Sequence, residues 1–327
     1  MGFYRASFGG GGQYTQEDID SYYIESDGVK FLPVGGLFAQ NQEFNSPINV
    51  GDNVALCSSL VASCYNFNSA IRLGNNVQVI SSMLSFCNNY NLPITFPASL
   101  KECGSALKNC RNFNSPVTFG GSEISCGELF AHCYLYNLPT NFSDSIENLA
   151  SAFYNCTNYD QPTHISNNAV NLYYMFYQCD RYNQPTTIPN KVNYCSYMFG
   201  RARNFNQPIV IPDSVNVIDN MLLDASNFNS DIIVGNNVLY MKDLLNNCSK
   251  FGANIFVRGG YRNINVTNML RNTGTTHRKE IHFGSELNNV FNSGHLISPS
   301  ITLTWTAMTN GFYNVQFNVY CYNNYEG

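Results

Sequence analysis

An aromatic residue returns every 23 positions along most of this chain: Phe44, Phe67, Tyr90, Phe113, Tyr136, Tyr159, Tyr182, Phe205, Phe228 and Phe251. A period of this size leaves few folds open. One such unit cannot bury its own apolar side chains, whereas stacked copies share a continuous core. The chain is therefore expected to be a solenoid in which each repeat is one coil.

The other columns of the repeat say how a coil is built. Apolar or small residues lie ten, seven, six and three positions before each anchor, as in Cys195, Met198, Phe199 and Ala202 before Phe205. Steps of three and four read as one face of a short helix or a string of helical turns. After the anchor the period becomes two, as in Ile48/Val50, Ile94/Phe96, Ile209/Ile211 and Ile232/Val234. That alternation is a short strand with one buried face. Pro precedes it at Pro47, Pro93, Pro116, Pro139, Pro162, Pro185 and Pro208, where its missing amide does least harm. Stacked coils would pair these strands into a parallel sheet, with helical turns on the opposite face.

The pattern carried by Val192, Cys195, Met198, Phe199, Phe205, Asn206, Gln207, Pro208 and Ile209 resembles the BspA-like leucine-rich repeat of surface proteins. Ala202 stands where that family has Cys. The likeness covers residues 31 to about 257 and fades towards 301. It implies a leucine-rich-repeat α/β solenoid and a role in adhesion or surface recognition, and it implies no catalytic residues. Three segments follow: a glycine-containing arm over 1–30, the solenoid over 31–301 (regular to 257), and a C-terminal cap over 302–327. Asn310-Gly311 between alternating apolar runs predicts that this cap is a β-hairpin.

Composition narrows the functions. Charged residues make up only 12% and the net charge is −5. Without a basic stripe to neutralise phosphates, nucleic-acid binding is not expected. No phosphate loop, dinucleotide fingerprint, nucleophile elbow or zinc spacing occurs, so neither an enzyme nor a cofactor nor a metal site is expected. No stretch reaches the ~20 apolar residues of a membrane span. The N-terminus has no conventional signal-peptide core and no lipid-anchor cysteine. Of the 12 cysteines, Cys64, Cys87, Cys110, Cys133, Cys156, Cys179 and Cys248 lie three before an anchor, and Cys57, Cys103, Cys126 and Cys195 lie ten before. Buried free thiols are the expected reading. Disulfides between stacked cysteines of the first column are the alternative.

Two columns are candidates for a site. The residue after the anchor is Asn45, Asn68, Asn91, Asn114, Asn137, Asn183, Asn206 and Asn229, with Asp160 and Gly252 as departures. This reads as a structural ladder of amides. Five after the anchor, the strand points outward: Asn49, Arg72, Thr95, Thr118, Asn141, His164, Thr187, Val210, Ile233 and Phe256. Thr95, Thr118, Asn141 and Thr187 offer a polar ladder. Val210, Ile233 and Phe256 form an apolar end, to be covered by a protein partner or by the chain's own tail through Trp305. The expectation is a non-enzymatic recognition or scaffold protein on an exterior surface. The first reading is a virion component (phage tail, fibre or capsid decoration) that docks on a larger assembly through residues 1–30. The other reading is a bacterial or protist adhesin for host protein or glycan.

Overall fold

The computed structural model describes residues 15–31, 36, 38–258 and 264–273, together with the backbone of two later strands at 281–283 and 319–321. The chain opens with helix α1 (Gln16–Asp20) and a hairpin of β1 (Ile24–Ser26) and β2 (Val29–Phe31). Coil strands follow at β3 (Ile48–Asn49), β4 (Val54–Leu56), β5 (Ile71–Arg72), β6 (Ile94–Thr95), β7 (Val117–Thr118), β8 (Thr140–Asn141) and β9 (Thr163–His164). They continue at β10 (Ile209–Val210), β11 (Ile232–Val234), β12 (Ile255–Val257), β13 (Ile281–Phe283) and β14 (Val319–Cys321).

The strands after the anchors stack in parallel and in register. Ile48 pairs with Ile71, Ile94 with Val117, Thr140 with Thr163, and Ile209 with Ile232 and then Ile255. The last sheet runs β10-β11-β12-β13-β14 without a break. A second parallel ladder of single bridges runs from Leu56 through Val79, Glu102, Ser125, Asn148, Asn171, Tyr194 and Val217 to Tyr240 and Asn265. Its final step is two residues longer than the others, which is where the repeat loses its register.

The face between the second ladder and the anchors is not helical, contrary to the sequence reading. Take the coil that ends on Tyr90. The amides of Ile80, Ser82, Leu84 and Phe86 donate to the carbonyls of Glu102, Gly104, Ala106 and Lys108 in the next coil, at 2.8–2.9 Å. The amides between and after them, on Met83, Ser85, Cys87 and Tyr90, donate to Ile80, Ser82, Leu84 and Cys87, three residues back, at 2.9–3.1 Å. Alternate amides thus serve the neighbouring coil and a local turn, a division no α-helix permits. The backbone achieves it by placing two left-handed residues in each coil from the one ending on Phe67 onward, eight and four before the anchor. Examples are Ser82 (φ 57°) and Phe86 (φ 65°), Ser105 (56°) and Asn109 (61°), and Asn220 (57°) and Asp224 (60°). Each costs an L-residue ~1–2 kcal/mol. The inter-coil hydrogen bonds, worth ~1 kcal/mol each, and the buried core offset that cost.

The core lies between these walls. In the coil ending on Phe205, Val192, Cys195, Met198, Phe199, Ala202, Phe205, Ile209 and Ile211 are all buried. The large ones contribute ~1.5–3 kcal/mol apiece. The anchors stack face to face along the axis, with centroids 5.7–6.0 Å apart from Phe44 to Phe251. Phenylalanines six before the anchor slide against them, as Phe199 does on Phe205 at 4.0 Å.

The cysteines three before the anchor are buried free thiols. Each Sγ donates to the carbonyl 26 residues back, for example Cys87 to Val61, Cys110 to Leu84 and Cys156 to Phe130, at 2.9–3.2 Å. That contact engages the sulfurs with backbone instead of with each other. The disulfide lies in the other column, between Cys103 and Cys126, whose Cα atoms are 5.0 Å apart. Among the described residues, only there do adjacent coils both place cysteine ten before the anchor.

Residues 15–31 close the N-terminal end. Thr15 and Asp18 form a reciprocal capping box on α1. The Gln16 carboxamide donates to the Asn49 carbonyl (2.8 Å) and accepts from the Asn49 amide (3.1 Å). A side chain thereby stands in for the missing strand on the open edge of β3. Ile19 and Tyr23 are buried on the first coil, and Tyr22 meets Phe38 edge-on at 6.0 Å. β2 pairs in parallel with β4. At the other end no hairpin is found among the described residues of the expected cap. Val319–Cys321 pairs in parallel with β13 and extends the sheet. Trp305 and Asn310-Gly311 lie outside the described residues.

Candidate functional site

The outward column of the strand sheet is exposed over most of its length. Asn49, Arg72, Thr95, Thr118, Asn141, His164, Thr187 and Val210 all present their side chains to solvent. Parallel register brings them together in pairs: Asn49 with Arg72, Thr95 with Thr118, and Asn141 with His164. Thr187 lies in a coil with no assigned strand. His164 holds Asp144 at 2.9 Å. The Asn167 amide first, and then this imidazole, keep the Asp144 carboxyl below the usual carboxylate range.

Val210, Ile233 and Phe256 stand side by side on β10, β11 and β12. Val210 is 49% exposed, while Ile233 and Phe256 are half-buried. On the backbone the column continues through His282 to Tyr320. The apolar end of the sheet is therefore followed by two further strands, not by an open edge at Phe256.

The asparagines after the anchors form one ladder along the rim. The Asn45 side-chain oxygen accepts the Asn68 amide, Asn68 that of Asn91, Asn91 that of Asn114, and Asn114 that of Asn137, at 2.8–3.0 Å. Asn137, Asp160, Asn183, Asn206 and Asn229 carry it on to the amide of Gly252. Both departures now have a reason. The ladder uses only a side-chain oxygen, which Asp160 also has, and its last member, Gly252, supplies only a backbone amide. These side-chain oxygens are engaged with backbone amides, so they brace one coil against the next.

Sequence reasoning missed a surface on the turn face. Tyr154, Tyr173, Tyr174, Tyr177 and Tyr197 gather across three adjacent coils. Tyr154 stacks on Tyr177 (5.3 Å) and Tyr174 on Tyr197 (4.5 Å), while Tyr173 meets Tyr174 edge-on (4.3 Å). The Arg201 guanidinium lies 5.9 Å above the Tyr177 ring. Tyrosines at outward offsets in consecutive repeats were the signal in the sequence. Among the described residues no group of three His, Cys, Asp or Glu side chains is arranged to hold a metal, and no helix is long and apolar enough to cross a membrane.

The family described as "Mycoplasma protein of unknown function, DUF285" matches residues 15–119, 125–233 and 190–282, most of the chain. No curated protein matches. Among solved structures, a leucine-rich repeat protein from Bacteroides ovatus is similar over 88% of this chain and 91% of its own, with 11% identity and a TM-score of 0.50. The pneumococcal vaccine antigen PcpA is similar over 81% and 80%, with 12% identity and a TM-score of 0.36. At such identity the first likeness speaks to the fold alone: a leucine-rich-repeat solenoid. With its 23-residue coils, its stacked anchors and matches that span most of its length, the chain belongs to the DUF285 family of BspA-like leucine-rich repeats.

Proposed function

We propose that this protein is a non-enzymatic recognition protein displayed on an exterior surface, and that it binds a protein partner through the outward column of its strand sheet. The observation that carries this reading is the column itself. It joins an exposed polar ladder to a partly exposed apolar end at Val210, Ile233 and Phe256, and a contact surface needs both specificity and burial. The extended surface of a solenoid suits an extended partner. A cell surface is the setting we favour, because the matching family is described from Mycoplasma. A virion component would instead be encoded among portal, sheath or baseplate genes. Docking through the chain's start then rests on residues 1–14, which lie outside the described residues.

The test is binding of the purified chain to a panel of purified extracellular proteins. Wild type should bind at least one of them. The variants Ile233→Ser/Phe256→Ser and Thr95→Arg/Thr118→Arg should each weaken that complex while melting near wild type. Binding that both variants leave unchanged would refute the sheet as the contact surface.

A further inference from the structure

We infer that this protein pairs with a second copy of itself through the wall of the second ladder, the two copies running antiparallel about a two-fold axis at Ile124 and Ser125. That wall presents two outward columns, twelve and eleven before the anchor. Half of the large exposed apolar side chains among the described residues lie on it: Ile24, Leu56, Ile124, Tyr194, Leu239 and Tyr240, each 36–58% exposed. The outward column of the strand sheet contributes one, Val210. Exposed apolar area gathered on one wall marks it as a contact face. Tyr194 and Tyr240 stack on no other ring among the described residues, so both are open to a second molecule.

The order of residues along the wall selects the occupant. Ile24 is level with Phe31, and Phe31 with Leu56, so the N-terminal hairpin adds two rungs to the ladder. Counting outward from Ser125, Leu56 and Tyr194 each stand three rungs away, on opposite sides, and Ile24 and Tyr240 each stand five away. Reversing a second copy about Ser125 therefore lays Leu56 on Tyr194 and Ile24 on Tyr240, at both ends of the contact. In the neighbouring column Ile124 falls on the axis and meets its own copy. One coil to either side lie Lys101 and Glu147, both exposed and neither in an ion pair among the described residues. The same reversal sets each Lys101 against Glu147 of the second copy, and such matching of opposite charges fixes register.

Self-complementarity of this kind is what an isologous dimer requires: every contact occurs twice, and only groups on the axis meet themselves. Ile124 tolerates that position because it is apolar. Parallel copies would instead set Lys101 level with Lys101 and Glu147 level with Glu147, bringing like charges together. An unrelated partner gives no reason for a pattern that is symmetric about one coil. The size also suits a dimer. Rungs ~4.8 Å apart make the wall from Ile24 to Tyr240 ~48 Å long, and the stretch from fourteen to nine before the anchor makes it ~20 Å wide. That area reaches the ~800 Å² per partner of a stable interface.

The experiment is sedimentation equilibrium of the full chain across the micromolar range. Wild type should sediment as a dimer. Ile124→Asp, which sets two carboxylates on the axis, should raise the dimer dissociation constant by about tenfold or more. Lys101→Glu and Glu147→Lys should each weaken the dimer, and the double swap Lys101→Glu/Glu147→Lys should restore it. All three side chains are exposed, so each variant should melt near wild type, and a general loss of stability would not be reversed by the swap. Under mild oxidation Ile124→Cys should cross-link into a covalent dimer, whereas Asn193→Cys, three coils from the axis, should not. A monomer at every concentration, as when a different protein covers this wall, would overturn the inference. So would a dimer indifferent to Ile124→Asp, a swap that fails to restore pairing, or cross-linking of Asn193→Cys as efficient as that of Ile124→Cys. The variant Ile233→Ser/Phe256→Ser should remain dimeric, so failure here and failure of the strand-sheet contact are told apart.

Discussion

Tyr90 should be more stable as phenylalanine, whereas Tyr159 should not. Both rings are fully buried in the anchor stack, Tyr90 between Phe67 at 5.9 Å and Phe113 at 6.0 Å. The hydroxyls of Tyr136, Tyr159 and Tyr182 meet the threonine four residues on, Thr140, Thr163 and Thr186, at 2.9, 2.6 and 2.7 Å. At Tyr90 that place is Ile94, and the buried hydroxyl has no hydrogen-bond partner among the described residues. Coils with a phenylalanine anchor likewise carry an aliphatic residue there, as in Phe205 with Ile209. An unpaired buried hydroxyl costs ~1–3 kcal/mol, and a made hydrogen bond contributes ~1. Tyr90→Phe is therefore expected to raise stability by ~1–2 kcal/mol, and Tyr159→Phe to lower it by ~1. Ile94→Thr supplies the missing partner. It should be close to neutral in wild type but destabilising by ~2 kcal/mol in the Tyr90→Phe background, where the new hydroxyl has no mate. Urea unfolding of the four proteins of this cycle, with Tyr159→Phe as control, measures the coupling. If Tyr90→Phe destabilises as much as Tyr159→Phe, or the cycle shows no coupling, the pairing rule is wrong.

Met198→Asp should cost several kcal/mol and loosen neighbouring coils together, because it buries an unpaired charge in a shared core; hydrogen exchange across residues 170–230 reads this, and protection equal to wild type would contradict it. Alkali should destabilise the fold. Burial pushes the Cys57, Cys64 and Cys195 thiols up to about 12 from their usual 9.0. A raised folded-state value contributes stability that is complete below the unfolded value and is lost as pH rises through the folded one, so the melting temperature should fall from pH 9.0 upward. A melting temperature constant from about pH 8 to about pH 11 would contradict that. In denaturant without reductant, peptide mapping should find Cys103 joined to Cys126 and the seven cysteines three before the anchors free; a bridge within the latter set would show that those sulfurs do not face the backbone.

Much of this architecture is written in the repeat. The period, the inward columns, the strands and the rim ladder each follow from one residue type recurring at one offset, because stacking turns sequence register directly into spatial neighbours. Asn45 to Asn229 were legible for that reason, and so was the outward run from Asn49 to Phe256. What the sequence left open depends on backbone conformation. Residues at intervals of three suit a helix as well as a chain of turns. The alternation that excludes the helix arises only when the left-handed Ser82 and Phe86 aim every second amide at the next coil. The same geometry turns the thiol of Cys87 onto a carbonyl and leaves Cys103 beside Cys126. Gln16 sealing β3, and five tyrosines of three coils meeting on one wall, join residues that no repeat offset links. Only the stacked fold sets them side by side, since their proximity is fixed by inter-coil hydrogen bonds and not by any local preference of the chain.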